Sequence, residues 1–169
     1  MTSQRALNLN LNEKRANMKG LLLTGIVLVL GAGYSLSAFA QAKPEVLVKQ
    51  REAAMELQGK YFYGQLRPMA QGKQPYDAKL AARAAGFLEA LSQMPWDGFQ
   101  PSTRNQRSRA MDTVYTDMDK FKAAADRYQE QVKKLVATIK AGDEAAAKEQ
   151  ILAINKSCNG CHRDFRSKE

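Results

Sequence analysis

Cys158, Cys161 and His162 fall in one pentapeptide, Cys-Asn-Gly-Cys-His, near the end of a 169-residue chain that contains two cysteines and one histidine in all. The order and spacing are those of a c-type haem attachment site. Two thiols can add across the vinyl groups of a porphyrin as thioethers, and the imidazole beside the second thiol is placed to bind iron from the proximal side. On a helix the first, fourth and fifth positions of the motif share a face. Random placement of these three residues gives the pattern about once in ten thousand trials, by order of magnitude.

Three other chemistries compete for the same residues. A disulfide between Cys158 and Cys161 would close too short a loop to contribute much entropic stabilisation, and it leaves His162 without a task. A thioredoxin-like redox pair needs a βαβ setting and a helix N-terminus to depress the thiol pKa, whereas this pair lies near a helix C-terminus. Structural zinc takes four ligands, and the chain offers three soft ones. Covalent haem c, one per chain, with His162 on the iron, is therefore the favoured reading.

The start of the chain supports it. Lys14, Arg15 and Lys19 precede "GLLLTGIVLVLGAG", an uncharged apolar run, which is followed by Ala38, Phe39 and Ala40, a small-residue pattern suited to signal peptidase. The run is short for a membrane span, which needs about 20 apolar residues. Residues 1–40 are thus expected to be a signal peptide and 41–169 a haem domain delivered to the periplasm. The whole chain has 26 basic and 17 acidic residues, and residues 41–169 keep 22 and 16 of them, a net charge of +6. The bases are dispersed among acids and the chain is exported, so nucleic acid is not an expected partner; a basic surface for an acidic redox partner is.

With 44% hydrophobic and 25% charged residues, the composition is that of a globular chain. Apolar residues recur three and four apart and strand alternation is rare, which predicts four helices. The first opens at Pro44, carries Leu47, Arg51, Ala54, Met55, Gln58, Phe62 and Leu66 along one stripe, and should stop near Pro68. The second runs from an Asp77 cap to about Gln93. A long connection from Met94 to about Thr116 follows, with Trp96 and Phe99 expected to fold over the core. The third starts near Asp117 and ends at Gly142. The fourth, capped by Asp143, has the stripe Ala147, Ile151, Ile154, Cys158, Cys161, His162 and Phe165. The expected fold is all-α, an antiparallel four-helix bundle preceded by a signal peptide. Phe62, Phe87, Phe99, Tyr128 and Phe165 are expected core aromatics.

The motif at the C-terminus, with "KPEVLVKQREAAM", "GKQPYD" and "LSQMPWDGF" in the same order along the rest, resembles the cytochromes c-prime, the class II c-type cytochromes. The resemblance implies His162 as the axial iron ligand, Cys158 and Cys161 as thioether anchors, Arg166 as a basic residue near the proximal haem face, and Arg51 as a contact to a haem propionate. Met55 matches the residue that covers the distal face. There it is either a lid, leaving five-coordinate iron, or a sixth ligand, as in low-spin members; Arg51 favours the lid.

Two functions follow as expectations. One is binding of nitric oxide and carbon monoxide at a crowded apolar face without a hydrogen-bond donor, so that no stable oxygen complex forms. The other is electron transfer with a redox partner protein, by a six-coordinate iron if Met55 is a ligand. An enzyme is not expected, since no second histidine or distal acid is available as a catalyst. A homodimer through the first two helices is implied by the resemblance.

Overall fold

The computed structural model describes residues 42–168. The expected signal peptide lies outside the described residues. Six helical segments are labelled in chain order: α1 (Pro44–Tyr61), α2 (Arg67–Ala70), α3 (Ala78–Leu91), α4 (Thr113–Thr116), α5 (Met118–Lys140) and α6 (Glu144–Phe165). The four long ones pack as an antiparallel bundle, with no strand among the described residues.

The first arm ends at Ala70, close to Pro68 as expected, but it is not one continuous α-helix. A π-helical turn, Phe62–Leu66, joins α1 to α2 and carries the axis on to Ala70. Proline has no N–H to give the preceding turn, and its ring crowds the carbonyl four residues back. A wider turn relieves both problems, and the Arg67 N–H duly donates to the Phe62 carbonyl five residues earlier. The reversal comes at Gly72, whose φ of +70° a side chain rarely tolerates.

The other boundaries follow local chemistry. Asp77 accepts from the Leu80 N–H at 2.9 Å and so caps α3; Asp143 accepts from the Ala146 N–H at 2.9 Å and caps α6. Gly142, at φ +77°, closes α5.

The core has two parts. One joins Phe62, Leu66, Leu88, Tyr128, Val132, Leu135, Ile151 and Ile154 from all four long helical arms, with Cys158 against it. The other gathers Val114, Phe121, Ala124 and Phe165, with Trp96, Phe99 and Cys161 against it. Trp96 and Phe99 fold inward as expected, their centroids 6.2 Å apart and Phe99 4.7 Å from Phe121. Phe87 does not belong to the core. It is 40% exposed on the outer face of α3, against Tyr61 of α1 at 4.8 Å. Its neighbours Leu88 and Leu91 supply the buried stripe instead, because the helical period turns Phe87 outward.

Candidate functional site

Cys158 and Cys161 touch different parts of the core, so the pentapeptide sits at the junction of the two. Helical spacing over the last turns of α6 brings both thiols and the imidazole to one side, where they line a single cleft. Its inner lobe, about 80 Å³, is bounded by Cys158, Cys161, His162, Met55, Phe62 and Leu88 among others. An outer lobe of about 470 Å³ shares Met55, Tyr63, Trp96, Cys161 and His162 with it and adds Arg51, Phe99, Arg109 and Arg166. All six residues singled out in the sequence therefore converge on this cleft.

The donor set has the chemistry that haem c requires. No disulfide joins the two cysteines, which leaves both sulfurs for thioether bonds. Burial, and secondarily the neighbouring Cys161, pushes the Cys158 thiol up to about 12. Burial and then Asp164 raise Cys161. Neutral sulfur is thus the stable form in this setting, and a thioether is neutral at every pH. Burial, then the Arg166 and Arg109 cations, lower His162. A neutral imidazole has the lone pair that iron needs. The lobes together have the size expected of a cofactor pocket, roughly 300–1,000 Å³, with apolar walls inside and guanidinium groups at the mouth, matching a porphyrin that is apolar except for two carboxylates. The residues present fit the group.

Arg51 has a role the sequence did not reveal. It is 3% exposed, yet the groups it donates to are a carbonyl and three hydroxyls rather than a carboxylate. Its Nη1 donates to the Gly98 carbonyl at 2.5 Å, to Thr103 Oγ1 at 3.1 Å and to the Tyr115 hydroxyl at 3.2 Å. Nη2 donates to Ser108 Oγ at 2.7 Å, and the guanidinium lies 4.5 Å from the centre of the Phe99 ring. This one side chain ties α1 to the connection between α3 and α5. Gly98 permits the approach, because a Cβ there would stand 2.7 Å from Arg51 Cβ and 2.8 Å from the Leu47 carbonyl oxygen.

Arg166 is placed differently from a residue one helical turn beyond His162. The helix ends at Phe165, and Arg166 is extended, with φ −128° and ψ 125°. Its N–H still reaches the His162 carbonyl, at 3.1 Å. Extension lets the tail pair with the connection: Ser167 N–H donates to the Arg109 carbonyl at 2.9 Å, and Met111 N–H to the Phe165 carbonyl at 3.0 Å. Arg109 returns the contact through Nη2 to the Ser167 carbonyl at 2.9 Å. Two arginines are thereby held beside the histidine.

The cleft is not devoid of hydrogen-bond donors, contrary to expectation. Gln58, Tyr63 and Tyr128 all line the inner lobe. Two of them are engaged with protein: the Tyr128 hydroxyl donates to Gln58 Oε1 at 2.6 Å, and Gln58 Nε2 donates to the Ala54 carbonyl at 3.1 Å and lies 3.9 Å from Met55 Sδ. Gln58 was visible in the sequence only as a polar residue on an apolar stripe, and its partner lies 70 residues away. Tyr63 is 41% exposed and raised in pKa, first by burial and then by Cys158, so it retains its proton.

A four-helix bundle with paired cysteines and one imidazole facing a porphyrin-sized cleft defines the class of c-type haem proteins. The family model described as Cytochrome C' matches residues 46–166. The chain belongs to the cytochrome c' family. It is 38% identical over 127 residues to the cytochrome c' of Rubrivivax gelatinosus, an alignment covering 75% of this chain and 98% of the relative. The crystal structure of cytochrome c' from Rubrivivax gelatinosus superimposes with a TM-score of 0.70 at 37% identity, covering 74% of this chain and 98% of that one. A nitric oxide complex of a variant cytochrome c prime from Alcaligenes xylosoxidans also gives 0.70, at 32% identity and with coverage of 76% and 99%. Like its family, the chain carries covalently bound haem c with iron.

Proposed function

We propose that Cys158 and Cys161 anchor the haem as thioethers, that His162 is its proximal ligand, and that Met55 covers the opposite face without binding it, so that the iron binds nitric oxide and carbon monoxide and exchanges single electrons. The observation that carries this reading is the shared cleft, in which Met55 of α1 faces the same lobe as His162 and both cysteines of α6. Ferrous haem supplies an open coordination position for a diatomic gas and a one-electron couple. The protein supplies the rest. Phe62, Leu88 and Ala124 make the inner wall apolar and exclude water. Gln58 Nε2 lies beside the Met55 sulfur and favours a lid over a ligand, since a lone pair engaged with an amide is less available to a metal. Arg51 and Arg166 line the mouth, where their positive charge supports a contact with the propionates.

The remaining parts of the proposal concern context. Residues 1–40 act as the export signal, and residues 41–169 work in the periplasm, where haem c is attached. The protein is a homodimer through α1 and α3, whose outer faces expose Leu57 at 42% and Phe87 at 40%; the contact between Tyr61 and Phe87 extends that patch. Nitric oxide complexes of a similar protein support the gas-binding part.

Spectra of the purified holoprotein test the coordination. The expected result is a ferric high-spin spectrum without a methionine-sulfur band in the near infrared, a ferrous form that takes up carbon monoxide, and no change in the ferric spectrum on Met55→Leu. A near-infrared sulfur band that disappears in Met55→Leu would instead establish the six-coordinate electron carrier.

A further inference from the structure

A second depression, about 590 Å³, lies on the other side of Cys161, between the N-terminal half of α5 and the last turns of α6. Its charge is one-sided. Lys120, Arg127, Lys156 and Arg163 line it, against two acids, Asp117 and Asp164. Both acids are already matched inside the groove, Asp117 by Lys120 at 3.5 Å and Asp164 by Arg163 at 2.7 Å. Arg127 and Lys156 are exposed and have no carboxylate partner among the described residues. The groove thus has two cationic charges in excess beside Cys161.

Its position matters as much as its charge. Cys161 lines this groove and both lobes of the cleft, so it spans the wall between the bundle interior and the cationic surface. The guanidinium groups at the mouth of the cleft point to a different task, because there they face the haem pocket itself. An electron leaving through the groove crosses one side chain before reaching solvent.

We infer that this groove is the docking surface for an acidic one-electron redox protein, with Cys161 the covalent exit from the haem to the partner. The inference rests on the haem attachment proposed above. Steering by two uncompensated cations speeds encounter with an acidic partner by about tenfold or more at low ionic strength and fades as salt shortens the Debye length.

The test uses the ferric holoprotein and an acidic flavodoxin as the probe. One electron passes from the flavin hydroquinone to ferric iron, leaving the flavin oxidised by one electron and the iron ferrous. The double variant Arg127→Glu/Lys156→Glu should lower the second-order rate constant about tenfold at low salt, with the difference vanishing by about 0.5 M salt. Binding of oxidised flavodoxin, followed by calorimetry, should weaken in parallel. Arg127→Gln/Lys156→Gln should fall between, and Lys73→Glu/Lys140→Glu, which makes the same change in net charge beyond α2 and at the C-terminal end of α5, should stay within about twofold of the parent. Equal losses in the two glutamate variants, or none in either, overturn the docking face while the haem spectrum remains intact. A colourless purified protein overturns the haem assignment itself, and this inference with it.

Discussion

Replacing Arg51 with methionine is expected to destabilise the protein by about 2–4 kcal/mol and to loosen the connection between α3 and α5. The equivalent of about three full hydrogen bonds from a cationic donor, since the three Nη1 contacts share two hydrogens, each worth about 1.5–3 kcal/mol, and a cation–π contact of about 0.5–2 kcal/mol are lost. Against them stands the relief of desolvating a buried guanidinium, itself several kcal/mol. No acceptor is stranded, which holds the net cost down. The Gly98 carbonyl keeps Thr103 Oγ1 at 3.1 Å, Thr103 and Tyr115 keep each other at 3.0 Å, and Ser108 Oγ keeps the Ala110 N–H at 3.3 Å. Guanidinium chloride unfolding of the holoprotein measures the global term. Limited proteolysis within residues 100–110 measures the local one, and about 2 kcal/mol of easier opening means roughly thirtyfold faster cleavage. Arg51→Lys should recover less than half, because a point charge cannot serve acceptors on both sides of the fork. A cost below about 1 kcal/mol together with unchanged cleavage would refute the role of Arg51 as a tie.

Three further outcomes are expected. Gly98→Ala should cost about 2–4 kcal/mol in thermal unfolding, since its Cβ meets the Leu47 backbone at 2.8 Å and neither element can yield without breaking the Arg51 contacts. Tyr128→Phe leaves Gln58 Oε1 buried without its donor and should cost about 1–3 kcal/mol, while Tyr128→Phe/Gln58→Leu should cost clearly less than the sum of the single changes; an additive cycle in urea refutes the coupling. Asp143→Ala should lower stability by about 1 kcal/mol through loss of the α6 cap and Asp143→Asn should restore most of it, as urea midpoints will show.

The sequence carried the attachment motif and the four long helices. The roles proposed for Cys158, Cys161 and His162 are legible there because thioether formation and axial ligation demand particular residue types at particular spacing, and spacing is a one-dimensional property. The caps at Asp77 and Asp143 and the stop at Gly142 are equally local. Pro68 shows the limit of such reasoning: the end of the first arm near it was legible, but the π turn that accommodates it was not.

Tertiary structure decided the rest. That Arg51 braces a loop, that Gln58 is already paired with Tyr128, and that Phe87 lies outside all depend on partners many tens of residues distant or on the rotation of a helix against its neighbours. The same holds for the cationic groove beside Cys161, whose lining comes from two helices and the turn before them. Covalent reactivity belongs to a residue and its immediate neighbours; burial, hydrogen-bond satisfaction and the clustering of charge on one face belong to an arrangement, and exist only once the bundle has closed.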